Sequence, residues 1–453
     1  MYLFSKLESS KKDIHIAFIG CGKFVTMFLA QLNNLKNIKV NIIVDLDIPK
    51  AKDNCLNSGL SKSIINDIHF SNSINDILDN KSIDIVIEAT GNAKAGILNA
   101  KQIILNKKNI IMVNVEADVV AGKYLSDLAF AKDVVYSMAY GDQPALILEQ
   151  IEWALLNGFE VICAGKDTKY HKNFEDSTPE TVWQHYGIKA KDALSSGMNP
   201  KMFNSFLTGD KSSIEMAAVA NSSHLKVPDT GLNYPCINTN QIAKQLIPME
   251  SGGLLEKNRQ LEVITSIDEN KKEIDNHLRW GVFLVFKGKN NYVKNCFSDY
   301  GMIVDNTGEY TALWRPYHYI GLELAQSIYS IALNKQATGF TKSYKADVAA
   351  IAKVNLYPGD ILDGEGGYKV KGKLGEKINA NKEQGILSKK LATIILDVPV
   401  NFEAERYKLS YPDQIKVNNL FEELEFRRIS ENFKKIFKPQ GDALIQEKNQ
   451  KKL

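Results

Sequence analysis

The stretch from Ile14 to Leu32, IHIAFIGCGKFVTMFLAQL, constrains the fold more than any other part of the chain. An apolar strand runs into a bend at Gly20 and Gly22, and an amphipathic helix follows the bend. Glycines at such a bend let the backbone approach a pyrophosphate, towards which the first amides of the helix point. The stretch predicts the opening of a dinucleotide-binding α/β sheet, with an ordinary glycine turn as the alternative.

The next apolar strand ends in Asp45, which bears on the choice of dinucleotide. An acid there accepts hydrogen bonds from the ribose hydroxyls, and this favours NAD. Capping the following helix is the alternative role for Asp45, and the two roles are compatible. The bend itself departs from the usual pattern, because Val25 stands where a third glycine is expected. Cofactor contacts are predicted at Gly20, Gly22, Lys23, Phe24, Val25 and Asp45.

Strand and helix patterns alternate through residues 1–165. They predict an α/β fold with a Rossmann-type, doubly wound parallel sheet. Open sheets of this kind bind ligands at the carboxyl ends of their strands. Two later strands of this part end in small and polar residues. The nicotinamide half of the cofactor site is therefore predicted at Thr90, Gly91, Asn92, Asn114 and Glu116.

The pattern changes after GFEVICAGKDTKYH, and we predict an α+β substrate and dimerisation domain over residues 166–336. A helix near residues 318–333 is expected to pack back on the nucleotide domain. Beyond a linker at residues 337–345, short strands and glycine turns predict a small β-rich module over residues 346–413. Residues 414–453 are predicted to form a helical tail and a disordered end.

Two groups of polar residues stand out in the second domain. Lys166 and Lys169 follow an apolar strand, where an ammonium can hold a phosphate or protonate a carbonyl that is being reduced. A solvated basic loop is the alternative. Arg315 and His318 lie where the two domains meet, a usual place for a ligand cleft. Their alternatives are an interdomain salt bridge and a buried tyrosine–histidine contact. The pattern around Glu215 favours a solvent-facing side chain, although a cleft position stays open.

Composition excludes several other classes of protein. The chain has 453 residues and a formal charge of +3 from interspersed acids and bases, so nucleic-acid binding is not predicted. Five scattered cysteines without a CxxC pair favour free thiols in the cytoplasm over disulfides or a zinc site. No run approaches the about 20 apolar residues of a membrane span.

Several long motifs carry a resemblance: NVEADVVAG, VVYSMAYGDQPALI, GKDTKY, STPETVWQHYG, GMNPKMFNSF, EMAAVAN, LRWGVF and RPYHYIGLEL. Together they resemble the 1-deoxy-D-xylulose 5-phosphate reductoisomerase-like family over roughly residues 13–430. The resemblance implies a homoserine-dehydrogenase-like NAD(P) domain, a C-terminal SAF module and a homodimer or homotetramer. It implies isomerisation of 1-deoxy-D-xylulose 5-phosphate and reduction to 2-C-methyl-D-erythritol 4-phosphate, which feeds isoprenoid synthesis. NADPH is the implied cofactor, whereas Asp45 favours NADH.

That activity would require cations for the phosphate and groups that polarise two oxygens. From their placement in the chain, we predict substrate contacts at Lys169, Lys211, Arg315, His318 and Asn204. Asp142 and Glu215 are the candidate ligands of Mg²⁺ or Mn²⁺, with the Lys166 ammonium as the metal-free alternative. The catalytic set is Lys166, Lys169, Asp142 and Glu215.

Two other functions stay open at this point. A homoserine-dehydrogenase-like or other sugar- or polyol-phosphate dehydrogenase would use the same nucleotide domain. A carbohydrate-binding protein with an SAF module and a vestigial reductase domain is the non-enzymatic alternative. The complete set of Gly20, Gly22 and Asp45 argues against a vestigial domain.

Overall fold

The computed structural model describes residues 3–195, 197–349, 357, 414–423 and 433. The described residues up to 349 belong to one compact unit, and the later ones belong to a second. The predicted β-rich module at residues 346–413 lies almost wholly outside the described residues. In the second unit, the structure describes one helix, α16 (Gln414–Glu423), and a contact between the rings of Phe421 and Phe433 at 5.5 Å.

Six parallel strands form the first sheet. They are β1 (Ile14–Ile19), β2 (Ile38–Val44), β3 (His69–Ser71), β4 (Ile85–Glu88), β5 (Asn109–Met112) and β6 (Tyr136–Met138). Their spatial order is β3-β2-β1-β4-β5-β6. This is the order of a Rossmann sheet, so the predicted fold class is confirmed.

Helices cover both faces of this sheet. In chain order, the helices before, between and after its strands are α1 (Leu3–Ser9), α2 (Lys23–Leu29), α3 (Ile48–Asn57), α4 (Lys62–Asp67), α5 (Asn75–Asp79), α6 (Ala93–Leu105), α7 (Val115–Ala131) and α8 (Gln143–Leu156), the last of which packs mainly on the second sheet described below. Along β1, Ile16 and Phe18 pack towards α2 and α3, whereas Ala17 and Ile19 pack towards α6 and α7. Burial on both faces explains why the strand is apolar throughout.

A second, mixed sheet follows. Its strands are β7 (Glu160–Thr168), β8 (Gln260–Thr265), β9 (Val282–Lys287) and β10 (Tyr310–Arg315), in the order β10-β9-β7-β8. The predicted division between residues 165 and 166 falls inside β7, which pairs along its length in this sheet. Lys166 is therefore part of a strand, and the alternative of a solvated loop is wrong for this residue.

Seven further helices surround the second sheet or return to the first. They are α9 (Val182–Tyr186), α10 (Ala190–Ser195), α11 (Pro200–Leu207), α12 (Asp210–Ser222), α13 (Ile242–Gln245), α14 (Asn291–Asp299) and α15 (Ala325–Asn334). Helices α8 and α12 pack on one face of the second sheet. Ile328 and Ile331 of α15 enter the apolar cluster that contains Ile16 and Phe28 of the first sheet and its helices.

Residues 337–346, most of which were predicted to be a linker, are bonded to the rest of the unit. The Met138 amide of edge strand β6 donates to the Gly339 carbonyl at 2.8 Å. Asn221, near the end of α12, accepts from the amides of Lys342 and Lys345 at 2.9 and 2.7 Å. The segment thus covers an open sheet edge and joins it to α12.

The buried carboxyl of Asp118 predicts a pH-dependent stability. Burial raises its pKa from 3.8 to about 6, although it accepts hydrogen bonds from Tyr136 and Thr341 at 2.7 and 2.8 Å. A raised folded-state pKa means that the stabilisation is complete below about pH 4 and is lost as the pH rises through about 6. The loss is about 3 kcal/mol.

Asp118→Asn should remove this dependence, because the amide does not titrate. Urea unfolding of both proteins between pH 4 and pH 7 measures it. The free energy of unfolding of the variant, relative to the original chain, should rise by about 2.4 kcal/mol across that range. If the free energies of unfolding of the two proteins changed in parallel with pH, the Asp118 carboxyl would not titrate between pH 4 and pH 7.

Candidate functional site

The carboxyl ends of five neighbouring strands bring most of the predicted cofactor residues into one row. Asp45 follows β2, Gly20 follows β1, Thr90 follows β4, Asn114 follows β5 and Asp142 follows β6. Since adjacent strands lie about 4.8 Å apart, the row is roughly 19 Å long. It passes the switch point between β1 and β4, where open sheets of this type bind their ligands.

The glycine bend has the geometry that a diphosphate requires. Gly20 has a φ of +89°, and a Cβ atom there would lie 2.7 Å from the Ala89 carbonyl oxygen. A Cβ atom on Gly22 would meet no atom within 4 Å, so the space above this residue is open. Val25 is fully buried under the bend, where it packs with Phe28. Lys23 is exposed, and Phe24 is half-buried beside Gly321.

Asp45 supports the bend directly. One carboxylate oxygen accepts from the Cys21 amide at 2.7 Å, and the other accepts from the Asp47 amide at 2.9 Å. The cap of α3 is Asp47, which accepts from the Lys50 amide at 3.1 Å. The alternative in which Asp45 caps that helix is therefore wrong. Each Asp45 oxygen keeps a second lone pair for a ribose hydroxyl.

The ends of β4 and β5 are joined by side chains. Asn114 caps α7 and donates to the Asn92 carbonyl at 2.9 Å, while Asn92 caps α6. Buried Glu88 accepts from the Thr90 hydroxyl at 2.5 Å, and its second oxygen has no hydrogen-bond partner among the residues that the structure describes. Burial raises the pKa of the Glu88 carboxyl. Gly91 lies between these groups with a φ of +68°.

A buried ion pair lies at the centre of the proposed catalytic region. Lys166 on β7 and Glu215 on α12 are each 2% exposed, and the Lys166 ammonium donates to the Glu215 carboxylate. The Lys166 nitrogen also lies 5.7 Å from the centre of the Phe206 ring. Glu215 is thus not solvent-facing, and the interpretation drawn from the helix pattern is wrong. The partner on β7, distant in sequence, determines its burial.

Lys211 connects this pair to the cofactor row. It lies one helical turn before Glu215, and its ammonium is 2.8 Å from a carboxylate oxygen of Glu116 in the first turn of α7. Burial by itself would lower the pKa of Lys211, but the carboxylates of Glu116, Glu215 and Asp142 raise it. The second domain therefore meets the first sheet through a lysine surrounded by three acids.

Asp142 completes the group at the end of β6. Its carboxylate caps α8 and accepts from the Gln143 amide at 2.9 Å. Burial raises the pKa of Asp142, and the charge of Glu215 raises it further, whereas Lys211 and His318 lower it. A carboxyl whose pKa is raised in this way can retain a proton and pass it on.

The structure does not unite the three cations that were predicted to hold a phosphate. Lys169 donates to the His185 carbonyl at 2.7 Å, and Arg315 is paired with Glu323 on the neighbouring loop. Only Lys211 lies in the central group. The Arg315 pair joins residues eight positions apart in the chain, so it is not the interdomain bridge that was considered.

Two further candidates have different surroundings. His318 is half-buried, and its ring contacts the Trp280 carbonyl at 2.7 Å rather than a tyrosine, so the alternative of a buried tyrosine–histidine contact is wrong. Asn204 is buried on α11, and its side-chain oxygen has no hydrogen-bond partner among the described residues.

The donor set fits an ammonium better than a divalent metal. Glu215 already neutralises Lys166, and the charge of Lys211 acts on both Asp142 and Glu215. Among the described residues, no group of three or more His, Cys, Asp or Glu side chains has a metal-binding arrangement. We therefore assign no step to Mg²⁺ or Mn²⁺.

Sequence reasoning placed Glu88 at the ligand-binding edge of the sheet without giving it a role, and it missed Arg279. Glu88 ends a strand that reads as uniformly apolar apart from its last residue, which was the available signal. Arg279 follows Leu278 in a loop and contacts Ser266 and Glu273. No sequence pattern links these three residues, so the contacts had no signal in the sequence.

The family model that matches the chain agrees with this picture at the level of reaction class. The family described as "Oxidoreductase DRL, catalytic domain" matches residues 141–324, less than half of the chain. That range contains Asp142, Lys166, Lys211 and Glu215. No curated protein matches the chain. Among the residues that the structure describes, no helix is long and apolar enough to cross a membrane.

The solved structures to which the chain is similar are distant in sequence. The protein yvaA from Bacillus subtilis is 13% identical with a TM-score of 0.39, and the match covers 86% of this chain and 99% of that one. Homoserine dehydrogenase from S. aureus is 14% identical with a TM-score of 0.37, covering 71% and 76%. GenD2 from gentamicin A biosynthesis, solved with NAD, is 11% identical with a TM-score of 0.37, covering 73% and 89%. The family match and the sheet order together support an NAD(P)-dependent oxidoreductase.

Proposed function

We propose that this protein is an NAD(P)H-dependent oxidoreductase that reduces a small phosphorylated sugar, with reductoisomerisation of 1-deoxy-D-xylulose 5-phosphate as the favoured reaction. One observation carries the proposal. Two lysine–carboxylate pairs, Lys166–Glu215 and Lys211–Glu116, stand at the carboxyl edge of a Rossmann sheet. Polar groups of this kind at that edge suit chemistry beside a nicotinamide.

The residues at the sheet edge fit a dinucleotide. The open space at Gly22 would take the diphosphate, Asp45 would bind the adenosine ribose, and Thr90 and Asn114 would face the nicotinamide half. When bound, the reduced nicotinamide supplies a hydride to an electron-poor carbon. The protein must then stabilise the negative charge that forms on the carbonyl oxygen and donate a proton to that oxygen.

Lys166 meets that need in this proposal. A carbonyl oxygen gains negative charge as its carbon accepts a hydride, and a nearby ammonium stabilises the charge and donates the proton. Glu215 holds the Lys166 side chain in place, and burial strengthens the electrostatic effect. In this proposal Asp142, whose pKa is raised by burial and by the charge of Glu215, would return a proton to the group.

A homoserine-dehydrogenase-like reaction is the second candidate, and one observation favours it. Three carboxylates, Glu116, Glu215 and Asp142, act on Lys211. Such a carboxylate-rich site attracts the ammonium of an amino-acid substrate and repels a phosphate, which needs cations.

A substrate panel distinguishes these reactions. Oxidation of NADH and NADPH would be followed with ketose phosphates, 1-deoxy-D-xylulose 5-phosphate and an amino-acid semialdehyde, with and without Mg²⁺ or Mn²⁺. The proposal expects turnover with a phosphorylated sugar. Turnover with the semialdehyde alone would establish the second candidate, and dinucleotide binding without turnover on any compound would favour a non-catalytic role.

Asp45 should decide which dinucleotide is preferred. Asp45→Asn removes a charged acceptor for the ribose and the charge that repels a 2′-phosphate. We expect NADH affinity to fall about 10- to 100-fold, as for loss of a charged hydrogen bond, with NADPH affinity unchanged or improved. Fluorescence titration with each cofactor measures the ratio.

Asp47→Asn is the matched control, because Asp47 is exposed and caps α3, a role that Asn fills equally well. Its cofactor preference should equal that of the original chain. An Asp45→Asn variant with the original preference would show that the ribose does not bind there.

The homodimer or homotetramer and the cytoplasmic location stay predictions. All five cysteines are free thiols in the structure, which supports a reducing compartment. Light scattering of the purified full-length chain would give the number of subunits.

A further inference from the structure

A second cluster of cations lies at the end of β7, apart from the central pairs. It consists of Lys169, Arg279 and Lys271 around the side chains of Phe174, His185 and Tyr186. The Lys169 nitrogen lies 5.3 Å from the centre of the Tyr186 ring, and the Lys271 nitrogen lies 5.6 Å from that of Phe174. The ring of His185 packs on Phe174 with 4.7 Å between centres.

Arg279 is the least satisfied member of this cluster. Its side chain is only 13% exposed, and its Nε donates to the Ser266 hydroxyl at 2.9 Å. One terminal nitrogen pairs with Glu273 at 2.5 Å, but the other is buried without a hydrogen-bond partner among the described residues. A buried guanidinium nitrogen without an acceptor is costly, and an anion would remove the cost.

The charges of the cluster do not cancel. Burial and the charge of Arg279 lower the pKa of Lys169, while burial and the charges of Lys271 and Lys169 lower that of His185. Burial raises the pKa of neighbouring Asp167 to about 8, so at neutral pH this carboxyl is mostly protonated. Glu273 is then the main counter-charge for three cations.

The acidic side chains near the cluster neutralise its cations only in part, because they accept other hydrogen bonds or are exposed to solvent. Asp268 accepts from the amides of Asn270 and Lys272 at 2.9 and 2.8 Å. Glu273 itself is more than half exposed, so solvent screens its charge. The net positive charge of the cluster therefore favours binding of an anion.

We propose that Lys169, Arg279 and Lys271 form a binding site for a phosphate monoester dianion, held mainly by the unpaired Arg279 nitrogen and the Lys169 ammonium. The site is separate from the Lys166–Glu215 pair. Lys169 lies just beyond the end of β7, where it contacts His185 and Tyr186, whereas Lys166 lies within β7 and pairs with Glu215. The proposed function bears on this site in one respect: the phosphate of its substrate is one possible source of the anion, and a phosphorylated effector is the other.

Inorganic phosphate is the probe, titrated calorimetrically into the full-length chain without any cofactor or turnover. We expect saturable binding of one phosphate in this site, weakened about 10- to 100-fold by Lys169→Met and by Arg279→Met. Lys271→Met, which removes an exposed side chain and little packing, should weaken it less. Lys172→Met, an exposed lysine of the adjoining turn, is the control and should leave binding unchanged.

Competition then identifies the source of the anion. If 1-deoxy-D-xylulose 5-phosphate displaces the phosphate and Lys271→Met raises its KM with little change in kcat, the site holds the substrate. If the sugar phosphate does not compete, the site takes a separate phosphorylated compound. Absence of phosphate binding, or equal binding by Lys271→Met, Arg279→Met and the original chain, would overturn the site even if the reductase reaction is found.

Discussion

Replacing Lys166 with Met is expected to lower turnover by about 10²- to 10⁴-fold, the usual loss when a proton donor is removed. The Lys166 ammonium is buried against Glu215 and has no close substitute on β7. Affinity for the dinucleotide should change little, since the cofactor residues lie on the first sheet. Steady-state kinetics with the best substrate of the panel, together with a cofactor titration, measures both effects.

Stability must be separated from chemistry in this test. Lys166→Met leaves Glu215 buried without its cation, at a cost of about 3–5 kcal/mol. The double variant Lys166→Met, Glu215→Gln removes both charges and should recover much of the stability without recovering turnover. Full turnover in the folded double variant would remove Lys166 from the reaction.

Lys108→Met is the matched control for a buried lysine. Lys108 is 6% exposed and donates to the Asn80 carbonyl at 2.5 Å. It immediately precedes β5, so it lies at the sheet edge opposite the cofactor row. Its replacement should reduce stability but leave kcat unchanged. Equal losses of kcat in both variants would indicate a general effect of removing buried lysines.

Gly20→Ala is expected to abolish dinucleotide binding and to destabilise the fold by about 2 kcal/mol or more. The positive φ is unfavourable for any residue with a Cβ, and the added atom would collide with the Ala89 backbone. Both the bend and the neighbouring end of β4 would have to move. Chemical unfolding and a titration with NADH measure the two effects.

Variants at two other glycines distinguish the effect of backbone strain from the effect of blocking the dinucleotide site. Gly59→Ala introduces a Cβ at a φ of +87° with no atom within 4 Å, so it should cost about 1–2 kcal/mol and leave binding intact. Gly22→Ala, with a φ of −85°, should fold normally and lose affinity, because its Cβ fills the open space. Normal NADH binding by Gly22→Ala would show that the diphosphate lies elsewhere.

The fold of the first sheet could be predicted because its determinants are local. The apolar run at Ile14–Ile19, the bend at Gly20 and the strand ending in Asp45 follow one another in the sequence, as they do in the sheet. Cofactor contacts at Thr90 and Asn114 could then be predicted from the rule that ligands bind at the carboxyl ends of the strands.

The pairing of charged residues could not be predicted in the same way. Glu215 looked solvent-facing because its partner, Lys166, is 49 positions away and belongs to a different element. Lys169 and Arg315 were predicted to bind a phosphate, with a salt bridge as the alternative for Arg315, but their partners, the His185 carbonyl and Glu323, were not recognisable from residue types. Arg279 was overlooked because only the folded structure shows that one of its guanidinium nitrogens is buried without a hydrogen-bond partner among the described residues.

Equilibrium titration of the full-length chain with NADH and NADPH, followed by cofactor fluorescence, tests the central claim most directly. Saturable binding of both, tighter for NADH and lost in Gly22→Ala, is the expected result. If neither cofactor binds the folded chain at millimolar concentration, the sheet edge from Asp45 to Asp142 is not a dinucleotide site, and the proposed reductase is contradicted.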